Sequence, residues 1–148
     1  MLGSLPGEAS LAAGRYYAHP QNAFWRLIGG VIGEEIATLP YDERLAALLR
    51  HRVGLWDVVG EATRPGSLDT AIRDATHNDL ASLVETLPDL RLVAFNGGKA
   101  ASDGRKLLAA QAERLRLVTL PSSSPAHASL RFEAKAAVWN SLRDALAD

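Results

Sequence analysis

The sequence predicts an α/β fold: a three-layer α/β/α sandwich around a central, mainly parallel four-stranded sheet. Two observations carry the prediction. Apolar runs of strand length alternate along the chain with segments whose apolar residues recur at helical spacing. Connections of that kind make neighbouring strands parallel and cover the sheet with helices. Size adds a third: 148 residues, 47% of them hydrophobic, are enough for one core, so residues 1–148 read as a single domain.

The elements follow in order. Gly3-Ser4-Leu5-Pro6-Gly7 is a tight turn, because two glycines and a proline let the backbone approach a ligand closely. Asn22 to Ile32 reads as a helix stopped by Gly33. Tyr41 to Arg50 is a second helix, with Leu45, Leu48 and Leu49 on one side and acidic and basic ends that suit its dipole. Val53 to Val59 is an apolar run, read as a buried parallel strand. Glu61 to Gly66 is a loop in which Arg64 can reach a phosphate. Ser67 caps a helix that turns Ala71 and Ile72 inward, and Asn78 caps another through Ala81, Leu83 and Val84, stopped by Pro88. Leu90 to Phe95 is a strand, Arg105 to Leu115 a helix, and Leu117 to Leu120 the last strand. Phe132, Ala136, Trp139, Leu142 and Leu146 mark a terminal amphipathic helix.

Composition narrows the function. There is no cysteine, which excludes disulfides, cysteine-ligated zinc and iron–sulfur clusters. The four histidines are scattered without metal-ligand spacing, so no metal and no cofactor is expected. No apolar run is long enough for a membrane span and no export leader is evident, which points to the cytoplasm. The net charge of -1 weighs modestly against a nucleic-acid partner, although a few phosphates can be held by one positive face. Arginine outnumbers lysine, and its planar fork suits phosphate.

Four places carry candidate chemistry. His19, Gln21 and Asn22 stand beside Phe24-Trp25 at a helix start, a polar and aromatic grouping suited to a planar ligand such as a nucleobase. Asp57 is a carboxylate inside an apolar run; it either caps the following turn or is used. Asn96-Gly97-Gly98 joins a strand to a helix, and a close turn is the better reading, because the spacing of a nucleotide P-loop is missing. Pro121-Ser122-Ser123-Ser124-Pro125-Ala126-His127 sits between a strand and a packed helix, which favours a rigid loop over a linker. In parallel sheets ligands bind at the carboxyl ends of strands, and these segments end or follow predicted strands.

The runs Gly3-Ser4-Leu5-Pro6-Gly7-Glu8-Ala9-Ser10 and Tyr16-Tyr17-Ala18-His19-Pro20-Gln21-Asn22-Ala23-Phe24-Trp25 resemble the first motif of the uracil-DNA glycosylase superfamily, in its DNA-deoxyinosine (hypoxanthine-DNA) glycosylase branch. Further matches follow in order at Gly54 to Val58, Arg64 to Asp69, Phe95 to Ala101 and Leu120 to Ala126, covering nearly the whole chain. The resemblance implies a monofunctional repair enzyme, working as a monomer, that hydrolyses the N-glycosidic bond of deaminated bases in DNA and leaves an abasic site. It implies that an apolar first strand precedes the first motif; Met1-Leu2 leaves almost none of it, so a weakened first strand is expected.

The resemblance also assigns roles. Asn22, in the His-Pro-x-Asn segment, orients the attacking water, with His19 as the backup; for His19, capping or a buried hydrogen bond stands slightly ahead. Ser4, Leu5, Phe24, Asp57 and Asn96 surround the base: Phe24 stacks on it and Asp57 accepts its N1–H. Ser122, Ser123, Ser124, Pro125 and His127 grip phosphates or wedge the duplex. This chain departs from the pattern twice. Leu5 and Leu120 stand where many relatives place Asn or Asp and His, and neither can orient water. Two other readings therefore stay open: an inactive binder of deaminated DNA, and a hydrolase of free nucleosides.

Overall fold

The computed structural model describes residues 1–4, 10, 14–63, 73–125 and 129–147, with 61–63 and 73–76 as backbone. The expectations for Leu5, Arg64, Ser67, Leu68, Asp69, Ala71, Ile72 and His127 lie outside these residues. The chain packs as two compact units, Met1–Pro6 with Leu55–Leu120, and Gly7–Gly54 with Pro121–Asp148. The strands are β1 (Leu2–Gly3), β2 (Trp56–Asp57), β3 (Val59–Thr63), β4 (Arg73–His77), β5 (Leu92–Asn96) and β6 (Arg116–Leu120). The helices are α1 (Phe24–Ile32), α2 (Tyr41–Arg50), α3 (Leu80–Glu85), α4 (Gly98–Leu107), α5 (Phe132–Trp139) and α6 (Arg143–Leu146).

In the first unit, four strands form a parallel sheet in the order β2-β1-β5-β6, as the sequence predicts. The first strand is the expected stub, yet it is central: Leu2 and Gly3 pair with Trp56 and Asp57 on one side, and Leu2 pairs with Phe95 on the other. Of the predicted Val53–Val59 strand, Trp56 and Asp57 join this sheet. From Val59 the chain turns into a separate antiparallel hairpin, β3 with β4, through Val59–His77, Glu61–Thr76 and Thr63–Arg73. This corrects the loop read for Glu61 onward; the charged run Arg73-Asp74-Ala75-Thr76-His77 lacks the apolar alternation that marks a strand.

The sheet is covered by apolar packing. Val58, Phe95 and Leu108 are fully buried in one cluster with Leu80, Val93 and Ala100. Helix α4 begins at Gly98, not Arg105, and ends at Leu107. Its inner face is Ala100, Ala101 and Gly104, small residues that give no strong apolar signal but allow close approach to Phe95. A Cβ at Gly104 would overlap the Phe95 ring. Gly97 turns the chain from β5 into α4 with φ 105°, a conformation that favours glycine, which bears out the close-turn reading. The cap of α3 is Asp79, whose carboxylate accepts from the Ser82 N–H at 3.1 Å, so Asn78 is freed for another use.

The second unit is helical among its described residues. Seven of the nine residues of α1 are buried, and Gly33 ends it in the left-handed conformation, its N–H bonded to the Gly29 carbonyl. Helix α2 has the predicted bounds but buries Ala47 and Leu48; Leu45 and Leu49 point outward, Leu49 with 77% of its surface exposed. The terminal helix is broken by a 3-10 turn at Asn140–Leu142. It is anchored by Trp139, fully buried, whose Nε1 donates to the Pro121 carbonyl at 2.9 Å, and by Arg143, whose guanidinium donates to the Gly30 carbonyl at 2.9 Å. Among the described residues no helix is long and apolar enough to cross a membrane.

Candidate functional site

The first unit gathers three of the expected residues on one sheet edge. Ser4 follows β1, Asp57 ends β2 and Asn96 ends β5, and the strands are parallel, so all three lie at carboxyl ends. Gly3 stands opposite Asp57 and Leu2 opposite Phe95, which keeps the three ends level. Strand spacing puts the backbones carrying Asp57 and Asn96 about 10 Å apart, with Ser4 between them. From β1 the sheet continues to β2 on one side, and from β5 to β6 on the other. That reversal makes the crevice between β1 and β5 the place where such sheets bind ligands.

Asp57 is the unusual group. It is 9% exposed, and among the described residues its carboxylate has no hydrogen bond or ion pair. Burial alone pushes its pKa up from the usual carboxylate value to about 6. The side chain therefore does not cap the following turn. Its backbone is held from two sides. The Val58 and Val59 N–H groups each donate at 2.8 Å, to the Gly3 and Ser4 carbonyls. On the other side Asn78 donates its Nδ2 to the Asp57 carbonyl at 2.8 Å and its N–H to the Val58 carbonyl at 2.9 Å. Sequence reasoning read Asn78 as a helix cap and missed this clasp. Ser4 and Asn96 are also buried. Leu120, at the end of β6, is buried and serves packing.

The second unit carries the rest. Asn22 is half-buried, and its Oδ1 accepts from the Phe24 N–H at 3.0 Å, which fixes the amide plane at the start of α1. An amide oxygen has a second lone pair, so it can still hold a water. His19 takes the capping arrangement: its Nδ1 accepts from the Gln21 N–H at 3.0 Å and its carbonyl from the Asn22 N–H at 2.9 Å. The proton of a neutral ring is then on Nε2, at an exposed position.

Phe24 does not present an open face. It is fully buried, and the Tyr17 ring lies flat on it with centroids 3.9 Å apart and planes 15° apart. Trp25 and Trp139 meet it edge-on at 5.0 and 5.8 Å. The face of Phe24 that the sequence offers to a base is thus covered by Tyr17, a residue of the same motif.

The serine segment is a fixed loop rather than a linker. The Pro121 carbonyl is bonded to Trp139, the Ser123 carbonyl accepts from the Ala23 N–H at 3.0 Å, and the Ser122 hydroxyl accepts from the Ser124 N–H at 3.1 Å. Among the described residues of this loop Ser123 is buried, Pro121, Ser122 and Ser124 are half-buried, and Pro125 is exposed.

Residues 1–143 match the family model described as the Uracil DNA glycosylase superfamily. A Hypoxanthine DNA glycosylase of Methanosarcina barkeri is 47% identical over 100 residues, which are 68% of this chain and 63% of that relative. A Hypoxanthine DNA glycosylase of Methanosarcina acetivorans is 42% identical over 127 residues, 86% of this chain and 78% of that relative. The matched part thus spans under two thirds of the first relative's length and over three quarters of the second's. Among solved structures, the solution NMR structure of a candidate uracil DNA glycosylase from Methanosarcina acetivorans superposes with a TM-score of 0.86 at 38% identity, covering 99% of this chain and 89% of that one.

Proposed function

Because this chain belongs to the uracil-DNA glycosylase superfamily, we propose that it is a monofunctional DNA glycosylase that removes deaminated bases from DNA, hypoxanthine ahead of uracil or xanthine. It acts as a monomer in the cytoplasm, needs no cofactor and leaves an abasic site. The observation that carries this reading is Asp57, a buried carboxylate with no partner among the described residues, at the sheet edge where a ligand binds. Hypoxanthine offers an N1–H that an ionised carboxylate accepts. The two relatives named for that base support the choice.

Hydrolysis needs the nucleotide out of the stack, its base read, and water brought to C1′ while positive charge develops on the sugar. In this reading Asp57 reads the base edge, Asn96 lines its place, and backbone N–H groups near Ser4 hold a carbonyl oxygen and its growing charge. Phe24 supplies the stacking face. Asn22 orients the water through the free lone pair of its amide oxygen; the water oxygen bonds to C1′ as the bond to the base breaks, that bond's electron pair leaves with the base, and the proton that the water gives up ends on the departed base. The His19 ring, occupied at Nδ1, is a second candidate for holding water through Nε2. Ser122 and Ser124 hold flanking phosphates, and Pro125 and His127 keep the phosphate or wedge role that the sequence gives them. No lysine in the matched motifs is placed as a nucleophile, so no strand cleavage accompanies base release.

The buried Leu120 favours one other reading, a weak or inactive binder of deaminated DNA, because no imidazole stands at that strand end. Duplexes carrying deoxyinosine, deoxyuridine or deoxyxanthosine, treated with alkali after incubation, separate the two. The glycosylase gives cleaved strands from the deoxyinosine duplex first; the binder retards the duplex and gives none.

A further inference from the structure

The Tyr17–Phe24 stack has a consequence for base binding. Two rings 3.9 Å apart leave no space for a third between them. Tyr17 therefore holds the position over Phe24 that a stacked base would take, and Trp25 and Trp139 crowd Phe24 edge-on from elsewhere. The backbone around Tyr17 is strained. Tyr17 itself has φ 53°, in the left-handed region that a tyrosine adopts at a cost. Its neighbours are pinned on both sides: the Tyr16 N–H donates to the Tyr41 hydroxyl at 3.0 Å, and the Ala18 N–H to the Ser10 hydroxyl at 3.0 Å. The strained residue thus lies between two neighbours that are each hydrogen-bonded. Tyr17 is half-buried, so it reaches the surface while Phe24 beneath it does not.

We propose that Tyr17 is a gate residue, whose ring covers the stacking face of Phe24 and withdraws when an extruded base takes its place. This rests on the reading of Phe24 as the stacking residue. A ligand that needs the withdrawn position binds more weakly in proportion to how rarely that position is populated. The reduction applies equally to a free base and to one in DNA. A base still attached to bound DNA arrives at high effective concentration, and a free base does not. The gate thus lets the tethered base in and returns over Phe24 once the bond is cut, expelling the product.

The test uses free hypoxanthine as an inhibitor of base release from a deoxyinosine duplex. With Tyr17→Ala, inhibition should appear at about tenfold lower hypoxanthine or less, while Tyr17→Phe, which keeps the ring, behaves as the native chain does. Unchanged or weaker inhibition of Tyr17→Ala overturns the gate, the latter by making Tyr17 itself the platform. A second measurement needs no variant to fold. The Tyr17 ring protons of tyrosine-labelled native protein, shifted upfield by Phe24, should move downfield on addition of inhibitory hypoxanthine; resonances that stay in place overturn the proposal. If native protein releases no hypoxanthine from DNA, it is the functional reading that fails, not the gate.

Discussion

The side chain of Asn78 holds the backbone of Asp57, Nδ2 to carbonyl oxygen, at 2.8 Å. β2 is an edge strand of only two residues, so this bond and the one from the Asn78 N–H to Val58 replace the missing outer neighbour. Asn78→Ala should lower stability by about 1 kcal/mol, the net worth of one hydrogen bond. It should lower base release further, about tenfold to a hundredfold, because a displaced carboxylate no longer meets the base. Inhibition by free hypoxanthine should weaken in parallel, while affinity for a duplex with an abasic site, which has no base to read, should persist.

Asp57 makes activity and stability depend on pH in opposite ways. Its folded pKa of about 6 lies above the ordinary carboxylate value of 3.8. Below both values each state carries the proton and the group contributes nothing to the pH dependence. Between them the folded chain binds a proton that the unfolded chain does not, so stability falls as pH rises. Above about 6 the full cost of the buried charge remains, on the order of 1–3 kcal/mol. Base release needs the ionised form, so its rate should fall about tenfold per pH unit below that value. Asp57→Asn should therefore melt higher than the native chain at pH 8, release base more slowly by about tenfold to a hundredfold, and lose the acid limb of the pH–rate profile.

Asn22→Ala should abolish most single-turnover base release while DNA binding persists. The amide fixes its orientation through the Phe24 N–H, and alanine removes both that bond and the water's acceptor. Unchanged base release would move the role elsewhere, with His19 next in line.

Gly104→Ala should destabilise the chain by about 1–3 kcal/mol in urea unfolding, because the added methyl overlaps the Phe95 ring in the main core. A variant as stable as the native chain would mean that Phe95 shifts freely.

The parallel sheet was legible because Leu92–Asn96 and Arg116–Leu120 sit within or beside apolar runs, and because Asp57 stands out in its own. Tertiary pairing decided the rest. Val53–Val59 looks like one strand, but Trp56–Asp57 pairs with β1 in the sheet while Val59 opens a separate hairpin with β4. The β3–β4 hairpin carries too many charged and small residues to announce itself. Helix α4 hides its inner face behind Ala100, Ala101 and Gly104. Among the candidate site residues, Asp57, Ser4 and Asn96 could be read from their places at strand ends. The cover of Tyr17 over Phe24 was not legible, because it depends on a left-handed turn that composition does not reveal. Asn78 was misread because an asparagine one residue ahead of a true cap looks like the cap itself.

The most direct measurement is single-turnover incubation of the native chain with an end-labelled duplex carrying one deoxyinosine, followed by alkali. A cleaved strand of the length set by that position should appear, absent before alkali and absent from an undamaged duplex. Labelled strand that stays full length after alkali, at protein concentrations that bind the duplex, would contradict it.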